Sequence, residues 1–220
     1  MIYPLRLIKD YRYRLFKCKK ESKHFEYALF NKIWVHDKIL GSSPAKAGLP
    51  WMTYNAIFFL NKALSGKKSV LETGSGGSTL FFLERCQSLV TIEHDINWLK
   101  LLQKDTRIKK NFHKWKPICA RLESEEKDII DESPYLQSLR NLPNQSFHLI
   151  SVDGRLRSQT LIIASQKVNP QGYILLDNSN RVDYSEGINF LEQNGWIKQN
   201  LNGMCFNYEW DSYSTLWQRK

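Results

Sequence analysis

The sequence is poor in cysteine, and its four cysteines (Cys18, Cys86, Cys119 and Cys205) are scattered, with no CxxC pair. That excludes a cysteine-framed zinc site and a disulfide framework, and it fits reduced, intracellular thiol usage. The N-terminus lacks the uninterrupted apolar segment of a signal peptide, and no apolar stretch is long enough to span a bilayer. Internal repeats and low-complexity tracts are absent too. The expectation is a soluble cytoplasmic protein with no transmembrane segment.

Acidic residues are in the minority. Lys and Arg number 32 against 22 Asp and Glu, a formal net charge of +10. Residues 1–23 carry eight of those cations (Arg6, Lys9, Arg12, Arg14, Lys17, Lys19, Lys20, Lys23) against Asp10 and Glu21, and so supply +6 of the +10. Tyr3, Leu7, Tyr11, Leu15 and Phe16 are interleaved with them, the pattern of an amphipathic helix. Such an arm can contact anionic lipid, nucleic acid or an acidic substrate, and it can equally be a solvated helix face. The rest of the chain is not short of core material: 42% of the 220 residues are hydrophobic, with seven Trp and eleven Phe. This length suits one sizeable α/β domain, divided here into a basic helical extension over 1–50 and a main domain over 51–220.

"GSSPAKAGLP" (41–50) reads as a loop from its Gly, Ser and Pro content, and "WMTYNAIFFLNKAL" (51–64) as a helix. From Lys68 strands and helices alternate. "KSVLET", "SLVTIEHD", "WKPICA", "FHLISVDG" and "GYILLDN" are strands, with "STLFFLERC", "INWLKLLQKD", "SQTLIIASQKV" and "YSEGINFLEQNG" as helices. A short helix in "SPYLQSLRN" is expected within the polar segment 121–146. "WIKQNLN" and "SYSTLWQRK" form a terminal strand pair. Near-continuous apolar strands alternating with helices predict a doubly wound, mostly parallel sheet covered on both faces. Ligands bind such sheets beyond the carboxyl ends of the strands, and those ends carry Glu72, Glu93, Asp153 and Asp177.

The turn "ETGSGGST" (72–79) lacks two things. It has no Lys between Gly74 and Thr79, as a phosphate-binding P-loop requires. It also has Thr79 where a dinucleotide fingerprint places its third glycine. What it has is an acid before the turn, in the form ExGxGxS, and a second strand-end acid, Glu93, 17 residues after Gly76.

Glu72-Thr73-Gly74-Ser75-Gly76-Gly77-Ser78 resembles the first motif of the class I S-adenosylmethionine (SAM)-dependent methyltransferases. "FHLISVDGRLRS" resembles that superfamily's fourth strand, "NPQGYILLDNSNR" its fifth, and "GWIKQNL…SYSTLWQRK" its closing antiparallel hairpin. Together with "PWMTY" these segments are similar to a little-characterised bacterial group within it. The resemblance implies a Rossmann-like sheet of seven strands, the last antiparallel, with helices on both faces. It implies SAM as cofactor, with Glu72, Gly74, Gly76 and Ser78 around its methionine end and Glu93 on its ribose. It also implies a methyl-transfer site at Asp153, with oxygen the preferred atom to be methylated. His94 reads as a loop residue beside the ribose site.

The acceptor is not named by the resemblance. Asp153, Asp177 and Asn178 resemble the metal triad of catechol- and caffeoyl-coenzyme A-type O-methyltransferases, which implies Mg²⁺ as one option. The other option is that Asp153 meets SAM or acceptor without metal and Asp177-Asn178 caps a loop. Leu156 stands where the catechol-type enzymes have a general-base Lys, flanked by Arg155 and Arg157. These two arginines read either as binders of an anionic, even sugar-like, small molecule or as partners of the strand-end acids. Trp51 and Tyr54 read as core or as pocket wall. An NAD(P)-dependent oxidoreductase, and a non-catalytic binding module using its basic arm, stay open as alternatives. A base N-methylating enzyme is disfavoured by the lack of an Asn/Asp-Pro-Pro-aromatic motif.

Overall fold

The computed structural model describes residues 43–66, 68–122, 132–206 and 211–219. The basic arm at 1–23, and most of the 1–50 extension, lie outside them.

A sheet of seven strands organises the chain: β1 (Ser69–Thr73), β2 (Ser88–Glu93), β3 (Trp115–Cys119), β4 (Phe147–Val152), β5 (Val168–Asp177), β6 (Trp196–Asn200) and, last in sequence, β9 (Ser214–Arg219). The order is β3-β2-β1-β4-β5-β9-β6. β1 to β5 pair in parallel, and β9 lies antiparallel between β5 and β6. A two-stranded pair, β7 (Gly203–Met204) and β8 (Asp211–Ser212), stands apart. The seven strands, mostly parallel with the last one antiparallel, are those expected from the apolar runs.

Alternate residues of each strand point to opposite faces, and two cores result. Val70, Leu149, Leu175 and Leu216 face one core; Leu71, Ile150, Ile174, Leu176 and Trp217 face the other. The first core is covered by α2 (Tyr54–Ala63), α3 (Gly77–Arg85), α4 (Ile96–Leu102) and α5 (Thr106–Lys110). The second is covered by α6 (Pro134–Arg140), α7 (Arg157–Lys167) and α8 (Ser185–Gln193).

Besides α5 and the β7–β8 pair, which the sequence reading did not include, two elements differ from it. The segment 41–50, expected as loop, contains a one-turn helix, α1 (Pro44–Ala47). Ser43 Oγ caps it by accepting from Lys46 N at 3.2 Å, Pro44 opens it, and Gly48 closes it at φ 67°. Ser before Pro and Gly after the turn are helix-boundary signals that composition masks. β5 begins earlier than "GYILLDN", at Val168, because an irregular register over Phe147–Leu149 lets Val168 pair with Phe147.

The chain leaves β1 for β2 and β3 on one side, then returns to β4 on the other. The loops after β1 and β4 therefore diverge from neighbouring strands, which opens a crevice at the carboxyl ends. Of the candidate site residues, Gly74, Gly76, Ser78, Glu93, Asp153, Arg155 and Arg157 line it, whereas Glu72, Asp177 and Asn178 do not.

Candidate cofactor and acceptor site

The crevice is a cavity of about 900 Å³. Its floor is a contact between two glycines. Gly74 (φ 80°) lies against the backbone of Asp153 and Gly154: a Cβ on it would stand 2.8 Å from the Asp153 carbonyl oxygen. A Cβ on Gly154 would stand 2.8 Å from Gly74 N and 2.2 Å from the Tyr135 hydroxyl. Neither position admits a side chain, and Gly74 also needs its left-handed φ. Gly77 is equally closed, because Pro44 O and Leu49 O would lie 2.4 and 2.1 Å from its Cβ. Gly76 is different. Nothing lies within 4 Å of where its Cβ would be, and it lines the cavity. Packing does not demand a glycine there.

The amides of the turn indicate what a ligand there can be. Gly74 N donates to Ile92 O at 2.9 Å. Ser75 N donates to Glu93 Oε2 at 2.9 Å, and Gly76 N to Thr79 Oγ1 at 3.0 Å. A phosphate cradle needs such N–H groups turned outward; here three successive ones are spent inside the protein. Thr79, in the third-glycine position, is the residue that takes one of them. The turn therefore offers bare backbone flanked by carboxylates, a surface for a cationic or zwitterionic group.

Glu93, at the end of β2, is the hub. Its Oε2 accepts from Ser75 N and from Ser75 Oγ (2.7 Å). Its Oε1 accepts from His94 N at 2.8 Å and Asp95 N at 3.0 Å, and lies 2.7 Å from His94 Nδ1. The carboxylate borders the cavity. Trp98, on α4, donates from Nε1 to Ser75 O at 2.8 Å and forms part of the same wall. Ser78 lines the cavity as well.

Glu72 sits beneath this surface. It is 1% exposed and accepts from Ser78 Oγ (2.9 Å) and Thr91 Oγ1 (2.7 Å). It is not among the cavity-lining residues, so its hold on a ligand runs through the turn that it supports. Burial raises its pKa to about 7, against the lowering effect of hydrogen bonds from Thr79, Thr91 and Ser78.

Asp153, just beyond β4, and Asp177, the last residue of β5, are held differently. Asp153 lines the cavity and pairs with Arg157, Oδ1 to Nη2 at 2.7 Å. Burial raises its pKa and the neighbouring Arg157 pulls it back. Asp177 is buried and accepts from Ser214 Oγ at 2.9 Å. Its pKa rises to about 7, chiefly by burial and then by the charge of Asp153.

Of the two readings of Asp153, Asp177 and Asn178, the geometry favours the one without a metal ion. A guanidinium takes the position between them. Arg157 Nη1 donates to Asp177 O (2.7 Å) and to Asn178 Oδ1 (3.2 Å), Nη2 to Asp153 O (2.9 Å), and Nε to Gly154 O (3.0 Å). The Tyr184 ring centroid lies 5.4 Å from its Cζ. Asp177 points into the core toward Ser214, and Asn178 spends its oxygen on the arginine. The donor set does not fit Mg²⁺, and among the described residues no group of three or more His, Cys, Asp or Glu is arranged for a metal.

Of the two flanking arginines, Arg157 is thus the partner of the strand ends. Arg155 is exposed on the cavity wall, and its Nε donates to His94 Nε2 at 3.3 Å. Leu156 between them is left-handed (φ 47°, ψ 46°), an unusual state for a branched apolar residue. It splits the directions of its two neighbours and packs its own side chain against the core. Trp51 and Tyr54 divide likewise: Tyr54 is buried against Met204 and Phe206, while Trp51 is 57% exposed and lines the cavity.

Sequence reading missed four contributors. Tyr135 is buried, and its hydroxyl accepts from Arg155 N at 3.2 Å; it lies in the polar stretch that showed little periodicity. Trp98, Arg181 and Tyr184 line the cavity. For Trp98 the signal was its place one turn into the helix that follows Glu93.

No protein-family profile matches the chain, and no curated protein is similar to it in sequence. Solved structures are similar in fold. A candidate O-methyltransferase from Klebsiella pneumoniae superposes with a TM-score of 0.58 at 18% identity, over 86% of this chain and 89% of that one. An O-methyltransferase from Bacillus cereus in complex with SAH, the demethylated product of SAM, gives 0.52 at 15% identity, over 74% and 78%. A spermidine synthase from Thermotoga maritima gives 0.54 at 12% identity, over 77% and 57%. The chain has the Rossmann-like fold of the class I SAM-dependent methyltransferases.

Proposed function

We propose that the protein transfers a methyl group from SAM to an oxygen atom of a small acceptor. The observation that carries this reading is the turn at Gly76. Its backbone is open to the cavity while the amides of Gly74, Ser75 and Gly76 are bonded internally. A pyrophosphate would find no outward amide at those three residues, which weighs against a nicotinamide dinucleotide. A zwitterionic, cationic ligand finds bare backbone and nearby carboxylates.

SAM, when bound, supplies an electrophilic methyl group on a sulfonium that leaves as a neutral thioether. The residues here would do the rest. Glu93 accepts the ribose hydroxyls, sharing Oε2 with Ser75. Trp98 and the turn border the remainder of the cofactor. Asp153, its pKa raised by burial, is the group to take the acceptor's hydroxyl proton as the new C–O bond forms. Arg157 holds that carboxylate in place. In-line methyl transfer depends mainly on positioning, and a cavity with one braced carboxylate suits it.

Calorimetry with SAH and with NAD tests the ligand: SAH binds and NAD does not. Radiolabelled SAM across an acceptor panel then tests the reaction. Binding of NAD in preference to SAH overturns the reading.

A further inference from the structure

The cavity carries charge of both signs. Glu93 and Asp95 border it, as do three guanidiniums, Arg155, Arg157 and Arg181, and two further carboxylates, Asp153 and Asp183. Arg157 and Asp153 neutralise each other at 2.7 Å. Arg181 is placed otherwise. It is exposed on the loop after β5, with its N–H bonded to Asn178 O at 3.2 Å. Its Nη1 donates to the Tyr184 hydroxyl at 3.3 Å. Among the described residues no carboxylate forms an ion pair with it, Asp183 included. The same Tyr184 ring that lies beside Arg157 thus steers Arg181 with a neutral oxygen, which orients the guanidinium without spending its charge. Its field reaches Asp153, favouring the carboxylate there.

We propose that Arg181, with Arg155 on the neighbouring loop, reads an anionic group, carboxylate or phosphate, on a small acceptor whose apolar body lies against the exposed ring of Trp51. A guanidinium fork matches either anion with two hydrogen bonds. Arg181 follows β5 and Glu93 ends β2, with β1 and β4 between those strands, so an anion held by Arg181 stands apart from a cationic cofactor held at Glu93. The word "acceptor" rests on the methyl-transfer reading; the anion subsite does not.

The test uses the full chain and three probes of one shape: phenyl phosphate, benzoate and benzyl alcohol. Each is titrated by calorimetry with and without saturating SAH, on wild type and Arg181→Gln. The expected result is that phenyl phosphate or benzoate binds at least tenfold more tightly than benzyl alcohol. Arg181→Gln removes that preference and leaves SAH affinity unchanged. The tighter of the two anions names the chemistry. Equal affinity for the three probes on wild type overturns the proposal without any variant, and so does a preference that survives in a folded Arg181→Gln. Failure of SAH to bind, with the anion preference intact, would instead fell the cofactor reading alone.

Discussion

Arg157 Nη2 lies 2.7 Å from Asp153 Oδ1, and the same guanidinium reaches the carbonyl of Asp177 and the side-chain oxygen of Asn178. A single organic cation therefore joins the ends of β4 and β5. The side chain is 11% exposed and fixed by the Leu156 backbone on one side and the Tyr184 ring on the other. Methyl transfer should then be indifferent to chelators and to added Mg²⁺. Asp153→Asn should cut turnover by about 100-fold or more, the usual worth of a positioned proton acceptor. Stimulation by Mg²⁺ after chelation would restore the metal triad. Full turnover in Asp153→Asn would remove the residue from the chemistry.

Arg157→Gln should be costly to the fold as well, because it leaves a half-buried carboxylate and several carbonyl oxygens with fewer partners. The expected loss is roughly 1–3 kcal/mol, as for unsatisfied polar groups, read as a lower denaturation midpoint. A variant as stable as wild type would show that the strand ends hold without the guanidinium.

The four glycines around the cavity should separate by experiment. Gly74→Ala, Gly77→Ala and Gly154→Ala each drive a Cβ into backbone or a buried hydroxyl, and should destabilise or misfold the protein. Gly76→Ala meets only open space. It should fold with near wild-type stability and bind SAH at least tenfold more weakly. Equal SAH affinity in Gly76→Ala would mean that the ligand does not lie on the turn.

Much of this was readable beforehand because it is local. β1, its glycine turn and the helix after it announce themselves by an apolar run, a strand-end acid and small residues in a row. The two cores follow from alternation along Val70-Leu71 and Leu149-Ile150. The acids at the strand ends were visible, and so were the arginines beside them. What the chain does not spell out is direction. Nothing local tells that Gly74 and Gly154 meet back to back, since that contact joins two loops distant in sequence. Nothing local tells that Leu156 turns left-handed, which sends Arg155 to the cavity wall and Arg157 under the strand ends. Asp177 looked like a neighbour of Asp153 in purpose, yet its carboxyl turns to Ser214 on β9, a strand that pairs with β5 only in the folded sheet.

Glu93 should prove essential to cofactor binding, and the turn should report its loss. Glu93→Ala removes the acceptor for Ser75, His94 and Asp95 amides and for the ligand's ribose. SAH affinity should fall by roughly 2 kcal/mol, about 30-fold, as for a hydrogen bond to a charged group. Trp98, bonded to Ser75 O, should shift its fluorescence as the turn relaxes. Unchanged SAH affinity in a folded Glu93→Ala would take Glu93 out of the ribose site.

Glu72 makes the stability of the protein depend on pH. Burial raises its pKa to about 7 from 4.5, and that of Asp177 to about 7 from 3.8. In the unfolded chain both carboxyls release their protons near pH 4; in the folded chain they keep them until about pH 7. Between those limits the folded state holds more protons, so stability falls as pH rises. The contribution is fully present at pH 4 and is lost as pH passes 7. For Glu72 the difference amounts to roughly 3 kcal/mol. Denaturant melts at pH 5, 6, 7 and 8 should give midpoints that decline through this window, after allowance for other groups. Glu72→Gln keeps a polar side chain of the same shape and cannot titrate. Its midpoints should lie closer together than those of wild type, with the gain over wild type greatest at pH 8. In the variant the amide oxygen accepts from one of the hydroxyls of Ser78 and Thr91, and the amide NH2 donates to the other. A wild-type profile that rises from pH 5 to pH 8, or a Glu72→Gln profile as steep as that of wild type, would mean that the carboxyl is ionised and tolerated within the turn.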